Sequence, residues 1–245
     1  MTPLLEIRDV SKSFDGLRAL SHVSFAVPHG KIVSVIGPNG AGKTTLFNVI
    51  AGAIQPGSGE VLFEGTSLKG LGPSRTARLG IGRTFQIVRP FPGLTTLDNV
   101  AVAALHNERT RSAARIFARE VLELTHLAAF AQIEARNLTL ARRKRLEVAR
   151  AIALRPRVIL LDEVMAGLNP AEVDQTIELV RTLRSLGIAA VAGIEHVMQA
   201  VQKISDFIVV LNFGEKVVEG APAEVMRHPE VVKAYLGSRY AGAGA

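Results

Sequence analysis

Cysteine is absent from the 245 residues, and aromatic residues make up only 5% of them. Without a thiol the chain forms neither a disulfide nor a thiolate metal site, which fits a reducing compartment. The sequence also lacks an uncharged apolar run of about 18 residues, the length that a membrane-spanning helix needs. Charge appears early, at Glu6, and we therefore expect neither a secretory leader nor a transmembrane helix.

Acidic residues are in the minority, 22 against 29 basic ones, and the formal net charge is +7. Such an excess suits nucleic acid, an anionic membrane surface or a phosphate ligand. The basic residues are scattered, apart from the run Arg-Arg-Lys-Arg at 142–145, and few aromatic side chains accompany them. Nucleic acid is the weakest of these possibilities, and we expect no nucleic-acid partner.

The most informative stretch is residues 31–45. An apolar, β-branched run at 32–36 predicts a buried strand, and residues 44–51 are compatible with a helix. Between them, residues 37–44 read Gly-x-x-x-x-Gly-Lys-Thr, the complete P-loop pattern. Glycines let successive backbone N–H groups face a polyphosphate, and the following helix adds the positive end of its dipole.

Residues 37–45, here called the phosphate loop, therefore predict a nucleoside triphosphate site. Lys43 can reach the β- and γ-phosphates, and the hydroxyl of Thr44 can bind Mg²⁺. A glycine-rich turn that binds nothing is the alternative. The predicted nucleotide-binding residues are Gly37, Pro38, Asn39, Gly40, Ala41, Gly42, Lys43, Thr44 and Thr45.

Two acids follow a second apolar run. Residues 158–161 predict a buried strand, and Asp162 and Glu163 come directly after it, at the edge where open parallel sheets bind ligands. We predict that Asp162 holds Mg²⁺, directly or through water, and that Glu163 is the general base that polarises the attacking water. A strand end capped by solvated acids is the alternative.

Three further side chains are candidates by position. Gln86 opens the helical part of the chain, where an amide can sense Mg²⁺ or the γ-phosphate. His196 follows a predicted strand, where an imidazole can hydrogen-bond the γ-phosphate and orient the water. Phe14 can stack on adenine, a contact of about 1–3 kcal/mol by analogy with base stacking on proteins. Each of the three is also compatible with an ordinary structural role.

Periodicity predicts the arrangement of the elements. Alternating apolar and polar residues at 4–10 and 19–27, with a short strand at 60–64, predict an antiparallel layer. Residues 87–155 have helical periodicity, and in 112–127 an apolar stripe is predicted. The side chains of that stripe are Ile116, Phe117, Val121 and Leu124.

After residue 156 the alternation of strands and helices returns. The predicted elements there are strands at 158–162 and 188–194, a helix at 171–186, a hairpin over 206–219 and short helices over 222–236. We predict an α/β fold, with a P-loop NTPase (RecA-like) core, an antiparallel β subdomain and an inserted α-helical subdomain. The chain is predicted to be one domain, with the core at 1–86 and 156–245 and the helical subdomain at 87–155.

In their order along the chain, these segments resemble the ATP-binding subunit of ABC transporters. The resemblance covers residues 4–237, and some details resemble the branched-chain amino acid importer subfamily more closely still. Those details are Arg83-Thr-Phe-Gln86, the stretches 145–151, 166–170 and 194–196, and the ending at 219–237.

The resemblance implies a head-to-tail dimer that binds two ATP molecules at its interface, on the cytoplasmic face of the membrane. The partners it implies are two membrane permease subunits, which Gln86 and the helical subdomain would meet, and a periplasmic or extracellular binding protein. A heterodimer with a second, related ATPase is expected, and a homodimer is the alternative. Two other functions stay open: a soluble ABC ATPase acting on ribosomes or DNA, and a nucleotide-binding subunit with little turnover.

One segment departs from the family pattern. The family signature reads Leu-Ser-Gly-Gly-Gln, whereas residues 138–142, here called the signature segment, read Leu-Thr-Leu-Ala-Arg. Thr139 keeps the hydroxyl that can contact ATP bound to the partner, and Ala141 adds only a methyl group. Leu140 must point away, and Arg142 can either reach phosphate or face solvent. We expect reduced activity at the site opposite this segment.

Overall fold

The computed structural model describes residues 2–84, 88–194 and 198–236. The elements are β1 (Leu5–Phe14), β2 (Leu17–Val27), β3 (Ile32–Ile36), α1 (Lys43–Ile50), β4 (Ser58–Phe63), β5 (Thr66–Ser67), α2 (Pro73–Leu79), β6 (Ile81–Arg83), α3 (Thr96–Ala104), α4 (Arg111–Leu124), α5 (Leu140–Ala153), β7 (Val158–Asp162), α6 (Pro170–Ser185), β8 (Ala189–Ile194), α7 (Met198–Ile204), β9 (Phe207–Asn212), β10 (Glu215–Gly220), α8 (Pro222–Val225) and α9 (Pro229–Leu236). Two 3₁₀ turns, Ala128–Phe130 and Ala135–Asn137, lie between α4 and α5.

The larger sheet has six strands in the order β10-β9-β3-β8-β7-β6. Strands β9, β3, β8, β7 and β6 run parallel, and β10 pairs antiparallel with β9. Along β3, Ile32 and Ile36 belong to one buried apolar cluster, whereas Val33 and Val35 belong to another. Both faces of the sheet are therefore covered, as is typical of a parallel sheet.

The two faces are covered by different layers. The smaller sheet is antiparallel, in the order β2-β1-β4-β5, and its Leu5 and Val23 share a buried cluster with Phe47 of α1. On the opposite face, Leu122 of α4 and Leu146 of α5 share the other cluster with strand β7. The helical segment thus continues the core of the six-stranded sheet.

The apolar stripe predicted on α4 was partly wrong. Ile116 is 54% exposed, and the buried side chains are Ala114, Ala118, Val121 and Leu122. Of the predicted stripe, only Val121 is fully buried, while Phe117 and Leu124 are partly buried. The two alanines allow close approach of α3 and α4, so the helix turns its small residues, rather than its largest ones, toward the core.

The predicted fold class is confirmed: a mostly parallel α/β sheet, an antiparallel β layer and a helical insertion are all present. Each predicted strand and helix also occurs, with ends shifted by a few residues. The division of the chain at residues 86 and 155 stays a prediction. Over the three described ranges, no helix combines the length and apolarity needed to cross a membrane.

Candidate nucleotide-binding site

The phosphate loop and the acidic pair lie at the same edge of the six-stranded sheet. Strand β3 ends at Ile36, just before the phosphate loop, and β7 ends at Asp162. Strand β8 lies between them, where Ile36 pairs with Ile194 and Asp162 pairs with Gly193. Two strand spacings separate the ends of β3 and β7, about 10 Å. The fold therefore brings Asp162 and Glu163 toward Lys43.

Glycine is required in the phosphate loop by close packing. A Cβ at Gly37 would lie 2.2 Å from the carbonyl oxygen of Leu211, and one at Gly42 would lie 2.5 Å from that of Ala19. Gly42 is also the N-cap of α1, with a φ of 102°. The N–H of Gly214 donates to the carbonyl oxygen of Ala41 at 3.1 Å, so the loop is held between β2 and the β9–β10 turn.

Lys43 is buried, and its side chain turns back onto the loop. Its Nζ donates to the carbonyl oxygens of Gly37 at 2.7 Å and Pro38 at 2.9 Å. Thr44, in contrast, is exposed at the first turn of α1. The loop thus holds the ammonium group of Lys43 and presents the hydroxyl of Thr44 at a helix N-terminus, an arrangement suited to phosphate.

A cavity of about 260 Å³ opens beside the phosphate loop. It is lined by Leu17, Arg18, Ala19, Gly40, Ala41, Gly42, Lys43, Thr44, Thr45 and Phe213. Leu17 is 74% exposed and Phe213 is 85% exposed, so two large apolar side chains stand at its mouth. Sequence reasoning missed both, since Leu17 lies just before the predicted strand at 19–27 and Phe213 lies in the turn of the predicted hairpin.

Phe14, the predicted adenine contact, is not among the described residues that line this cavity. It pairs with Leu17 at the end of the β1–β2 hairpin, and the Nζ of Lys12 lies 5.4 Å from the centre of its ring. Its ring is accessible, with 44% of the residue exposed. The base contact of Phe14 stays a prediction.

Asp162 is buried and is held by two adjacent residues, Arg83 at the end of β6 and Thr84 directly after it. Its backbone N–H donates to Oγ1 of Thr84 at 3.0 Å, and Nη2 of Arg83 lies 3.3 Å from its carboxylate. Nη1 of Arg83 also donates to Oδ1 of Asn48 in α1 at 2.7 Å. Arg83 thereby links the helix after the phosphate loop to the acidic strand end, a role that sequence reasoning missed.

Glu163 has a left-handed backbone, with a φ of 50°. Its N–H donates to the carbonyl oxygen of Gly193 at 3.1 Å. Its own carbonyl oxygen accepts from the N–H of Ala166 at 3.1 Å and from Nζ of Lys144 at 2.7 Å. Burial lowers the pKa of Lys144, and the charge of Glu163 partly opposes that effect. Nothing in the sequence marked Lys144 as a neighbour of Glu163.

Gln86 and His196, both predicted site residues, lie outside the residues that the structure describes. Their predicted positions follow elements that are described. β6 ends at Arg83, and β8 ends at Ile194, on the two sides of β7 in the sheet order. Their roles stay predictions.

The signature segment forms the start of α5. Thr139 is the N-cap, and its hydroxyl accepts from the N–H of Arg142 at 3.4 Å. Leu140 is 45% exposed, and Ala141 is buried. The guanidinium of Arg142 lies 3.8 Å from the centre of the Phe130 ring, a cation–π contact within the chain. The sequence analysis gave two alternatives for Arg142, contact with phosphate or exposure to solvent. In the structure its guanidinium instead lies on the ring of Phe130, which was not predicted.

Comparison with known proteins agrees with this geometry. Residues 20–166 match the ABC transporter family model, and residues 215–241 match one described as a branched-chain amino acid ATP-binding cassette transporter. Relatives include the high-affinity branched-chain amino acid transport ATP-binding proteins BraF of Pseudomonas aeruginosa and LivG of Escherichia coli. BraF is 40% identical and LivG 38%, each over 96% of this chain and 98% of the relative.

Solved structures give the same result for the fold. The ADP conformation of MJ1267, an ATP-binding cassette of an ABC transporter, has a TM-score of 0.86 at 27% identity, over 97% of this chain and all of that one. The cassette MJ0796, dimeric in a post-hydrolysis state with ADP and Pi, has a TM-score of 0.81 at 26% identity. That match covers 89% of this chain and 98% of the other.

Proposed function

This chain belongs to the ATP-binding cassette family of ABC transporters, and on that premise we propose that it is the ATP-hydrolysing subunit of an importer for branched-chain or related amino acids. The observation that carries the ATPase part is the convergence of the phosphate loop and the acidic strand end at one sheet edge. The amino acid part is supported by the match over residues 215–241 and by the two relatives.

The phosphate loop is proposed to bind the triphosphate of ATP. Its backbone N–H groups and the N-terminus of α1 supply donors, and Lys43 supplies a positive charge. The close packing at Gly37 and Gly42 constrains the curvature of the loop. Preorganisation of this kind lowers the cost of binding.

The donor set near the loop fits Mg²⁺. Thr44 offers a hydroxyl and Asp162 a carboxylate, both hard oxygen ligands, and Gln86 is predicted to add an amide oxygen. When bound, Mg²⁺ neutralises charge on the β- and γ-phosphates. The contact from Arg83 restrains the Asp162 carboxylate, which favours a defined orientation of that ligand.

Glu163 is proposed to act on the water that attacks the γ-phosphorus. As the new P–O bond forms and the bond to the bridging oxygen of ADP breaks, its carboxylate accepts the proton of the water. His196 is proposed to hydrogen-bond the γ-phosphate and orient the water. The products are ADP and phosphate.

The working unit is proposed to be a head-to-tail dimer, preferably with a related second ATPase, bound to two permeases at the cytoplasmic face of the membrane. The signature segment of each subunit would contact ATP held by the other. To change the ratio of closed to open dimers from 1:99 to 99:1, ATP must bind the closed form more tightly than the open form by about 5.5 kcal/mol. Two triphosphates, each contacted from both subunits, are a reasonable source of that energy, and hydrolysis removes it.

Uptake in proteoliposomes tests the function directly. The chain, its permeases and its sister ATPase are reconstituted in the vesicles. Uptake of radiolabelled leucine is then measured with the leucine-loaded binding protein added outside the vesicles. Glu163→Gln should abolish uptake while retaining ATP binding, and Lys43→Ala should lose both. ATP-dependent uptake of an amide, urea or an aromatic acid instead of leucine would contradict the substrate class.

Membrane co-purification and the Glu163→Gln variant distinguish this function from the two rival functions. A soluble ABC ATPase would fail to co-purify with membranes that contain the permeases. A subunit with little turnover would hydrolyse ATP equally slowly with and without Glu163→Gln, whereas an active subunit should accumulate bound ATP and a closed dimer.

A further inference from the structure

We propose that Lys144 is a positioning residue that links the signature segment to Glu163 of the same chain. The inference rests on the proposed function, because it assumes that Glu163 activates water. Lys144 lies in the second turn of α5, the helix that begins with the signature segment. Its Nζ donates to the carbonyl oxygen of Glu163 at 2.7 Å. Helix α5 thus contacts the backbone of the predicted base directly.

The location of Lys144 is unfavourable for a lysine with only a packing role. The residue is 9% exposed, and burial lowers the pKa of its ammonium group. A buried ammonium is costly unless it is hydrogen-bonded, and a Met side chain would fill similar space without that cost. The strong donor aimed at one carbonyl oxygen therefore points to a requirement at Glu163.

Glu163 is a residue whose backbone needs support. Its φ of 50° is one that non-glycine residues rarely adopt, and such strain persists only where surrounding contacts enforce it. Within the described residues, its peptide groups make hydrogen bonds to Gly193, from Ala166 and from Lys144. Of these three, the bond from Lys144 is the one that comes from α5.

This geometry joins the two nucleotide sites of a dimer. The start of α5 would contact ATP bound to the partner, and its second turn holds the base of the chain's own site. A small shift of α5 on closure would therefore change the backbone at Glu163 and, with it, the direction of the carboxylate. Placement of the base would then depend on engagement of the signature segment.

The test is steady-state ATPase of the full-length chain in its reconstituted complex. Lys144→Met should lower kcat by about 10- to 100-fold, part of the 10²–10⁴ that a positioned base contributes, with the KM for ATP changed by less than about twofold. Lys144→Arg should restore most of the rate. In a Glu163→Gln background, Lys144→Met should cause no further loss, because both changes act through the same base.

Arg145→Met is the matched control. Arg145 is the next cation on α5, and its guanidinium donates to Oε1 of Gln175 at 2.6 Å instead of to Glu163. This variant should keep kcat. Thermal unfolding identifies misfolded variants, and Lys144→Gln replaces Lys144→Met if the latter does not fold.

Three outcomes would overturn the inference: an unchanged kcat in a folded Lys144 variant, an equal loss in Arg145→Met, or a further loss in the Glu163→Gln background. Failure of the proposed function looks different. In that case the wild-type complex itself would not hydrolyse ATP.

Discussion

At the scale of single residues, the phosphate loop depends on contacts that a Cβ would destroy. Gly42 and Gly40 both have a positive φ, 102° and 79°. They differ in their surroundings: a Cβ at Gly42 would meet Ala19 O at 2.5 Å, whereas a Cβ at Gly40 would meet nothing within 4 Å. A substitution at Gly40 therefore tests backbone strain alone, whereas a substitution at Gly42 tests backbone strain together with steric exclusion.

We expect Gly42→Ala to lower the free energy of unfolding by about 2–4 kcal/mol, because backbone must move to admit the methyl group. Gly40→Ala should cost only about 1 kcal/mol, the price of a left-handed alanine. Urea unfolding without nucleotide measures both. Equal losses in the two variants would show that the close approach at Gly42 does not constrain the loop.

Arg83 gives a second prediction at this scale. Its guanidinium contacts Asn48 of α1 and the carboxylate of Asp162, and a lysine cannot reproduce such a two-sided contact. We expect Arg83→Lys to weaken Mg-ATP binding about 5- to 30-fold, since the Asp162 carboxylate loses a charge-assisted contact of about 1–2 kcal/mol.

Binding of a fluorescent ATP analogue, titrated with and without Mg²⁺, checks this prediction. Arg78→Lys is the control, because Arg78 lies on α2 and is not one of the residues that line the cavity. If Arg83→Lys weakened binding equally without Mg²⁺, the effect would not pass through Asp162.

At the scale of elements, α4 shows how packing chooses a helix face. Ala118 is fully buried and Ile116 is 54% exposed. Ala118→Leu should therefore overpack the contact between α3 and α4 and cost about 1–3 kcal/mol, whereas Ile116→Gln should stay within about 0.5 kcal/mol of the parent. Urea unfolding measures both. A larger loss from Ile116→Gln would support the apolar stripe predicted from the sequence.

The elements also show what the sequence can predict. The strands at 32–36 and 158–162 were predictable because both faces of the parallel sheet are covered, which demands nearly continuous apolar residues. The phosphate loop was predictable because its glycines, lysine and threonine serve phosphate at fixed local spacing. The face of α4 was not, because alanines on neighbouring helices decided it and a single-helix pattern favours the larger side chains.

The features that the sequence analysis most often failed to predict are contacts between residues far apart in the chain. Lys144 lies 19 positions from Glu163 and Arg83 lies 79 from Asp162, and no local pattern encodes either contact. Phe213 reaches the mouth of the cavity only because the β9–β10 turn packs against the phosphate loop. Such neighbours follow from strand order, which periodicity alone does not give.

At the scale of the whole molecule, one helix would serve two sites. The first turn of α5 carries the altered signature segment, and its second turn holds the backbone of Glu163. The described parts of this chain's own site, the phosphate loop and the acidic pair, follow the family pattern, whereas the signature segment, which we expect to face the partner, does not. A heterodimer with one strong and one weak site is the arrangement we infer from this difference.

Restoration of the family signature tests that asymmetry. In a complex whose Glu163→Gln change silences this chain's own site, the remaining ATPase comes from the site opposite the signature segment. The triple change Leu140→Gly, Ala141→Gly and Arg142→Gln removes the exposed leucine and the cation held on Phe130, and restores close approach of the backbone to phosphate. We expect the remaining rate to rise about tenfold or more, since one well-placed donor contributes about 10²–10³.

Stability should move the other way in the same variant. Two glycines in the first turn of α5 cost up to about 1 kcal/mol each, and the contact between Arg142 and Phe130 is lost as well. If the triple variant is faster but less stable, its higher ATPase rate therefore comes from contact with phosphate and not from better folding. Arg142→Gln alone, which leaves Leu140 in place, should give little of the increase. An unchanged rate in the triple variant would mean that the altered segment does not limit the opposite site, and the two sites would have to be regarded as equivalent.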